Sequence, residues 1–210
     1  MLEAVLPPGI RWHESFGDVP GVLPLPEEEF VVARAVPRRR AEFATARWCA
    51  RQALTPFGYG DVPILPGPKR EPLWPKGIVG SMTHCDGYRA AAVASDDVVI
   101  SMGIDAEPDQ PVPDRVLNSV ALPGEQAVIY GLLRDRPVVA WDRLLFSAKE
   151  SVYKAWFPIT GRWLGFEEAH VTFGDGVFSA RILIDSPLPV FEGRWAAEGG
   201  LIVTSVVVQA

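Results

Sequence analysis

"WDRLLFSAKESVYKAWF", residues 141–157, sets the apolar period from which the rest of the chain can be read. Trp141, Leu144, Leu145, Ala148, Val152 and Ala155 fall on one face of a 3.6-residue repeat, so a helix is predicted from about Val138 to Phe157. Glu150 and Lys154 lie nearly opposite, at the four-residue spacing of an ordinary surface ion pair. Phe146, Tyr153 and Phe157 flank them, and three aromatics in so short a stretch are unusual on a solvated face. That face therefore covers something or lines a cleft. Lys149 stands about 100° round from Glu150, where it can approach a bound ligand from the side.

Downstream, "HVTFGDGVFSARILI" (170–184) alternates about a Gly-Asp-Gly turn, and "RWAAEGGLIVTSVVV" (194–208) does so about Gly199-Gly200, so each reads as a hairpin. Upstream, "PGEQAVIYGLL" (123–133) reads as helix. "IVGSMTH" (78–84), "YRAAAVA" (88–94) and "DVVISMGID" (97–105) read as strands, with an Asp-Asp turn between the last two. Pro37 opens a predicted helix through Leu54, since proline suits the first helical position. Residues 55–77 form a loop punctuated by Pro and Gly, and residues 1–36 an irregular lead-in with short elements. Helices and antiparallel strands in both parts give the α+β class. The predicted halves are 1–101 and 102–210, with no linker or repeat between them.

The 210 residues are enough for one large domain or two small ones packed together. Apolar content of 48% and charged content of 22% describe a folded globular chain. No apolar run approaches the roughly 20 residues that span a bilayer, and the N-terminus has no signal-peptide pattern. The expectation is therefore no membrane partner. Cys49 and Cys85 are the only cysteines and lack CxxC spacing, which points to the cytoplasm and away from zinc. A net charge of −6 disfavours nucleic acid as a partner, although a local basic cluster can still hold a small anion.

Such a cluster exists. "PRRRAEFATARWCARQAL" (37–54) puts Arg38, Arg39 and Arg40 in the first turn of a helix, where the macrodipole disfavours cations. Arg47 and Arg51 continue the basic character. The run is either a solvated basic face or an anion site built from free N–H groups and guanidinium forks. "GIDAE" (103–107) places Asp105 and Glu107 on one side of an extended chain. The pair is either a surface loop or a site for a hard cation such as Mg²⁺, which accepts one or two carboxylates with phosphate and water. His84, in "GSMTHCDG", is either a satisfied structural residue or, with Ser81 and Thr83, a phosphate-binding edge. His13 and His170 stand in no comparable context.

"GSMTH", "GIDAE" and "FSAKESVYKAW", in this order and spacing, resemble the signature motifs of the surfactin-type (Sfp-like) 4′-phosphopantetheinyl transferases. "GPKREPLWP" and "RRRAEFATARWCARQAL" resemble the same family, nearest to its actinobacterial and enterobactin-synthase-component-D-like branch. The resemblance runs from about residue 24 to the C-terminus. It implies two similar subdomains related by a pseudo-two-fold, each a helix on a three-stranded antiparallel sheet, with coenzyme A between the halves. It also implies a monomer, and a reaction in which the phosphopantetheine arm of coenzyme A passes to a serine of an apo acyl or peptidyl carrier protein, releasing adenosine 3′,5′-bisphosphate.

By the same resemblance, Asp105, Glu107 and Glu150 are the carboxylates for Mg²⁺, with Mn²⁺ as a substitute. Glu150, or a metal-bound water near it, is the base for the carrier serine. Lys149 and Lys154 meet the pyrophosphate, and Lys154 stabilises the leaving phosphate. Thr83 and His84 contact coenzyme A phosphates. Arg39, Arg47, Lys69 and Arg70, with Arg51 as a further candidate, surround the 3′-phosphate and adenine. Ala106 departs from the polar or β-branched residue of other members, so a third metal ligand rests on Glu150 alone. Apolar residues of 110–135 beyond one buried stripe suggest a docking patch for the carrier. Two other readings remain: a non-catalytic coenzyme A or nucleotide-binding module, and an unrelated Mg²⁺-dependent phosphodiesterase.

Overall fold

A computed structural model describes residues 1–113 and 115–210; Asp114, inside the suggested docking stretch, lies outside the described residues. The chain divides into two units, Pro8–Ile100 with Ala210, and Met1–Pro7 with Ser101–Gln209. Along the chain run strand β1 (Arg11–Ser15), helices α1 (Glu29–Val32) and α2 (Pro37–Leu54), and strands β2 (Ile78–Cys85), β3 (Tyr88–Ser95) and β4 (Val99–Pro108). Helices α3 (Val116–Val120), α4 (Pro123–Asp135) and α5 (Trp141–Thr160) follow. Strands β5 (Ala169–Phe173), β6 (Val177–Ile182), β7 (Val190–Glu198) and β8 (Leu201–Gln209) close the chain.

In the first unit, β3 lies between β1 and β2, antiparallel to both. A central strand is buried on two faces, which is why Tyr88–Ala94 reads as a continuous run rather than an alternation. Its alanines let α2 lie close, and Cys49, Ala50, Ala53 and Leu54 of α2 meet Ala91 and Val93. Strand β1 falls inside the stretch expected to be irregular. "RWHES" has no alternating apolar pattern, and only its pairing with β3 makes it a strand.

The second unit has α5 on a five-stranded sheet of order β4-β8-β7-β6-β5. This corrects the expected three strands: both C-terminal hairpins and β4 join one sheet. Every residue of the α5 apolar stripe is buried, among Phe178, Phe191, Ile202 and Val206. Gly199 and Gly200 both have positive φ, 61° and 79°, as the two-residue turn between β7 and β8 requires. Met1–Pro7 belongs to this unit and not to the N-terminal half expected: Leu2 and Val5 are buried, and Ser205 donates to the Val5 carbonyl at 2.6 Å.

The expected turn at Asp96-Asp97 is present, but β4 takes its place beside β8 rather than β3. Gly103 explains how β4 reaches α5. A Cβ at this position would stand 1.9 Å from the Ser151 carbonyl oxygen, so only a glycine lets the two backbones touch. Ser101 reinforces the contact by donating to Ala155 O at 2.6 Å.

Gly103→Ala is expected to lower unfolding free energy by roughly 2–3 kcal/mol in urea titration, because backbone must yield. Gly124→Ala, on open helix surface with nothing within 4 Å, is expected to raise it by about 0.5 kcal/mol.

Candidate active site

The second unit gathers the acids and the lysines. Alternation along β4 puts Asp105 and Glu107 on one side and Ala106 in the core, so the residue that departs from the family pattern faces away from them. From α5, Lys154 donates to Asp105 Oδ1 at 2.8 Å and to Ile104 O at 2.9 Å. The surface pair suggested by the Glu150–Lys154 spacing is thus redirected, with the lysine turned to β4. Arg143, not singled out in the sequence, donates to Glu107 Oε2 at 2.9 Å and is braced on Gln110 O and Pro111 O.

Burial pushes Glu107 above the ordinary carboxylate range, aided by the charge of Asp105 and opposed by Arg143. Burial likewise raises Glu150; Lys154 opposes the shift and Asp105 adds to it. Asp105 is therefore felt at both glutamates. Among the described residues no group of three or more His, Cys, Asp or Glu side chains is gathered to hold a metal; Lys154 lies against Asp105 and Arg143 against Glu107. Hard oxygen donors that repel one another still fit a divalent cation needing only one or two carboxylates.

Lys149, expected at the pyrophosphate, has its ammonium held by groups of the chain itself. Its side chain is only 2% exposed, and its ammonium donates to Val120 O at 2.9 Å, Glu125 Oε2 at 2.7 Å and Phe166 O at 2.7 Å. These three acceptors match the three donors of the ammonium, and Lys149 also lines the cavity described next. Burial lowers its pKa, and Glu125 resists that shift. Beside Glu150 a cavity of about 230 Å³ opens, lined by Tyr153 of α5 and by Trp163, Leu164 and Phe166 of the following segment. The aromatics flanking Glu150 are explained by this wall: Tyr153 packs on Trp163 with centroids 4.8 Å apart, and Phe146 on Phe166 at 5.8 Å.

The first unit carries the basic residues. Arg39 Nη1 donates to His84 Nε2 at 2.7 Å, which brings two of the expected phosphate ligands together at the surface. Thr83 is buried while His84 is exposed, as neighbours on a strand must point oppositely, so Thr83 does not share the surface that His84 presents. Glu42, unremarked in the sequence, is approached by Arg38 at 3.1 Å, Arg39 at 3.5 Å and Arg89 at 3.6 Å. Burial works against its charge, but Arg38 and Arg89 hold its pKa below the ordinary value. Arg40 pairs with Glu29 at 2.7 Å. The arginines at the helix start are thus balanced by carboxylates of their own unit.

Arg47 and Arg51, expected around the 3′-phosphate and adenine, are buried. Arg51 donates to Glu28 Oε1 at 3.0 Å, and Arg47 Nε to Ile64 O at 2.9 Å with its guanidinium stacked 3.4 Å from the Phe43 ring centre. Burial takes Arg47 down to about 10. Glu28, wholly buried, also accepts the Ile64 and Leu25 N–H groups. Lys69 and Arg70 are exposed at the tip of a tight loop closed by Gly67 N–H to Glu71 O at 2.7 Å, with Arg70 at φ 69°.

A family model described as the 4′-phosphopantetheinyl transferase N-terminal domain matches residues 27–94, and one described as the 4′-phosphopantetheinyl transferase superfamily matches residues 101–199. The chain is 49% identical to 4′-phosphopantetheinyl transferase PptT of Mycobacterium tuberculosis, over 99% of this chain and 96% of that protein. The chain belongs to the 4′-phosphopantetheinyl transferase family. It is also 51% identical to the transferase Svp of Streptomyces mobaraensis, over 100% of this chain and 90% of that one. Enterobactin synthase component D of Salmonella typhimurium is 36% identical over 64% of this chain and 55% of its own length. Transferases of this family use coenzyme A as substrate and a divalent metal, and modify carrier proteins.

The transferase's arginine cluster makes a pH prediction. Glu42 is held below its ordinary value of 4.5, so its ion pairs stabilise the fold above about pH 4.5 and lose that effect as pH falls through the lower, folded value. The melting-temperature difference between wild type and Glu42→Gln is expected to be full near pH 7 and to vanish toward pH 3.

Proposed function

We propose that this transferase passes the 4′-phosphopantetheine arm of coenzyme A to a serine of apo acyl and peptidyl carrier proteins of fatty-acid, polyketide or non-ribosomal peptide synthesis, with Mg²⁺ as the metal and Mn²⁺ as a substitute. The observation that carries this reading is the placing of Glu150 at the rim of an aromatic-walled cavity, on the same helix as the lysine bound to Asp105. The serine oxygen attacks the phosphorus that bears the pantetheine, its proton passes to Glu150, and the anhydride bond to adenosine 3′,5′-bisphosphate breaks. A carboxylate raised by burial is the more competent base.

Lys154 is placed to donate to the departing phosphate oxygen. Asp105 and Glu107 would hold the divalent ion, which would neutralise pyrophosphate charge when bound, while Glu150 takes the proton. The cavity beside Glu150, with Tyr153, Trp163, Leu164 and Phe166, suits the partly apolar pantetheine arm. Arg39, His84, Lys69 and Arg70 are exposed guanidinium, imidazole and ammonium donors suited to the 3′-phosphate and adenine.

Carrier docking is assigned to α4, where Val128 and Tyr130, on different flanks of the helix, are 58% and 57% exposed. We propose a monomer; a cytoplasmic setting fits the free thiols of Cys49 and Cys85. Among the described residues no helix is long and apolar enough to cross a membrane.

Incubation with coenzyme A, Mg²⁺ and a panel of apo carriers should add one phosphopantetheine to carrier mass. Binding of coenzyme A with no adduct on any carrier would instead mark a binding module, and hydrolysis without a carrier a phosphodiesterase. Glu150→Gln is expected to cut kcat by 10²–10⁴, roughly the span of general base catalysis, while the Kd for coenzyme A changes less than tenfold. Equal loss of both rejects the base. Val128→Ser with Tyr130→Ser should raise KM for the carrier about fivefold and leave KM for coenzyme A unchanged. An unaltered carrier KM removes α4 as the docking face.

A further inference from the structure

Lys149 and Glu125 form a buried ion pair that the reaction scheme above does not use. Each side chain is 2% exposed. Glu125 Oε2 accepts from Lys149 and from Leu122 N–H at 2.7 Å, and Oε1 accepts from Val171 N–H at 2.6 Å. Lys149 in turn donates to Val120 O and Phe166 O. One carboxylate and one ammonium therefore join the end of α3, the start of α4, the middle of α5, the Phe166 turn and strand β5.

Two of these segments are the walls of the cavity. Lys149, Glu150 and Tyr153 come from α5, while Trp163 through Glu167 and Ala169 form the opposite side. The Lys149–Phe166 hydrogen bond spans those walls directly. Trp163, 73% exposed, lies in a segment that is otherwise a loop and a single 3₁₀ turn, tied to α5 by Lys149 at Phe166 O and by the Trp156 ring N–H at Arg162 O. A phosphate could recruit Lys149 only by displacing a carbonyl or Glu125, because those acceptors match the three donors of the ammonium.

We infer that Glu125 is a positioning residue for phosphopantetheinyl transfer, and that Lys149 acts through it, fixing the width of the arm cavity rather than contacting coenzyme A. This rests on the reading of that cavity as the place of the pantetheine arm. Breaking one half of a buried pair leaves an uncompensated charge, whereas removing both halves together costs less, so the two residues must be strongly coupled.

The test is a double-mutant cycle of E125Q, K149M and E125Q/K149M, read by calorimetry with two ligands: coenzyme A and adenosine 3′-phosphate 5′-diphosphate, which keeps the pyrophosphate and lacks the arm. Each single variant should weaken coenzyme A binding about tenfold, raising KM more than it lowers kcat, and leave the diphosphate ligand within twofold. The double variant should bind coenzyme A at least as well as the weaker single variant. Should a single variant fail to fold, the double variant alone decides, with binding within about fivefold of wild type expected. The inference is overturned if K149M weakens both ligands equally, or if E125Q, by releasing the ammonium, tightens either. Wild-type protein that transfers nothing from coenzyme A would overturn the functional reading itself, a result distinct from either of these.

Discussion

The contact between α5 and β4 is the constraint from which the catalytic half follows. With no side chain at Gly103, the helix and strand approach backbone to backbone at Ser151. That closeness lets Ser101 reach Ala155 O and lets Lys154 reach both the Ile104 carbonyl and the Asp105 carboxylate. A wider spacing would leave Lys154 beside Glu150, as a surface pair worth a few tenths of a kcal/mol. The glycine in "GIDAE" thus determines which acid the lysine serves, and with it the electrostatics of the site.

Charge balance is the second theme, and it is met by cations of the chain itself. Lys154 meets Asp105, Arg143 meets Glu107, and Lys149 meets Glu125. Glu150 lies nearest to being unbalanced, with burial raising its pKa against the pull of Lys154. A carboxylate in that condition has the most to gain from a proton or a cation, which is what the proposed chemistry asks of it. In the first unit the same logic divides the arginines. Arg47 and Arg51 converge on the wholly buried Glu28 and brace the loop at Ile64, while Arg39 stays at the surface on His84. Five arginines of one helix therefore do different work according to which carboxylate lies within reach.

Much of the fold could be read from local pattern. The start of α2 at Pro37 follows from a proline at the first helical position, and the hairpin at Gly199-Gly200 from a two-glycine turn between alternating runs. The buried stripe of α5 was legible because a 3.6-residue period needs no partner to be seen. Strand β1 was not, because "RWHES" owes its extended form to hydrogen bonds from β3. Glu125 carried a partial signal, a glutamate at the third position of a helix opened by Pro123, but nothing nearby announced its pairing with Lys149.

By itself, then, the amino-acid sequence determined the family, the two helix-on-sheet units and the residue types of the site, because motifs, periods and turns are local and ordered along the chain. Only the tertiary structure decided what each charge does. Lys149 and Lys154 look equivalent in "AKESVYK", yet one is buried on Glu125 and the other reaches Asp105. Arg39 and Arg47 look equivalent in "RRRAEFATAR", yet one meets His84 and the other donates to the Ile64 carbonyl. A side chain's role is set by the acceptors within about 3 Å of it, and for these residues they come from segments 17–50 positions away.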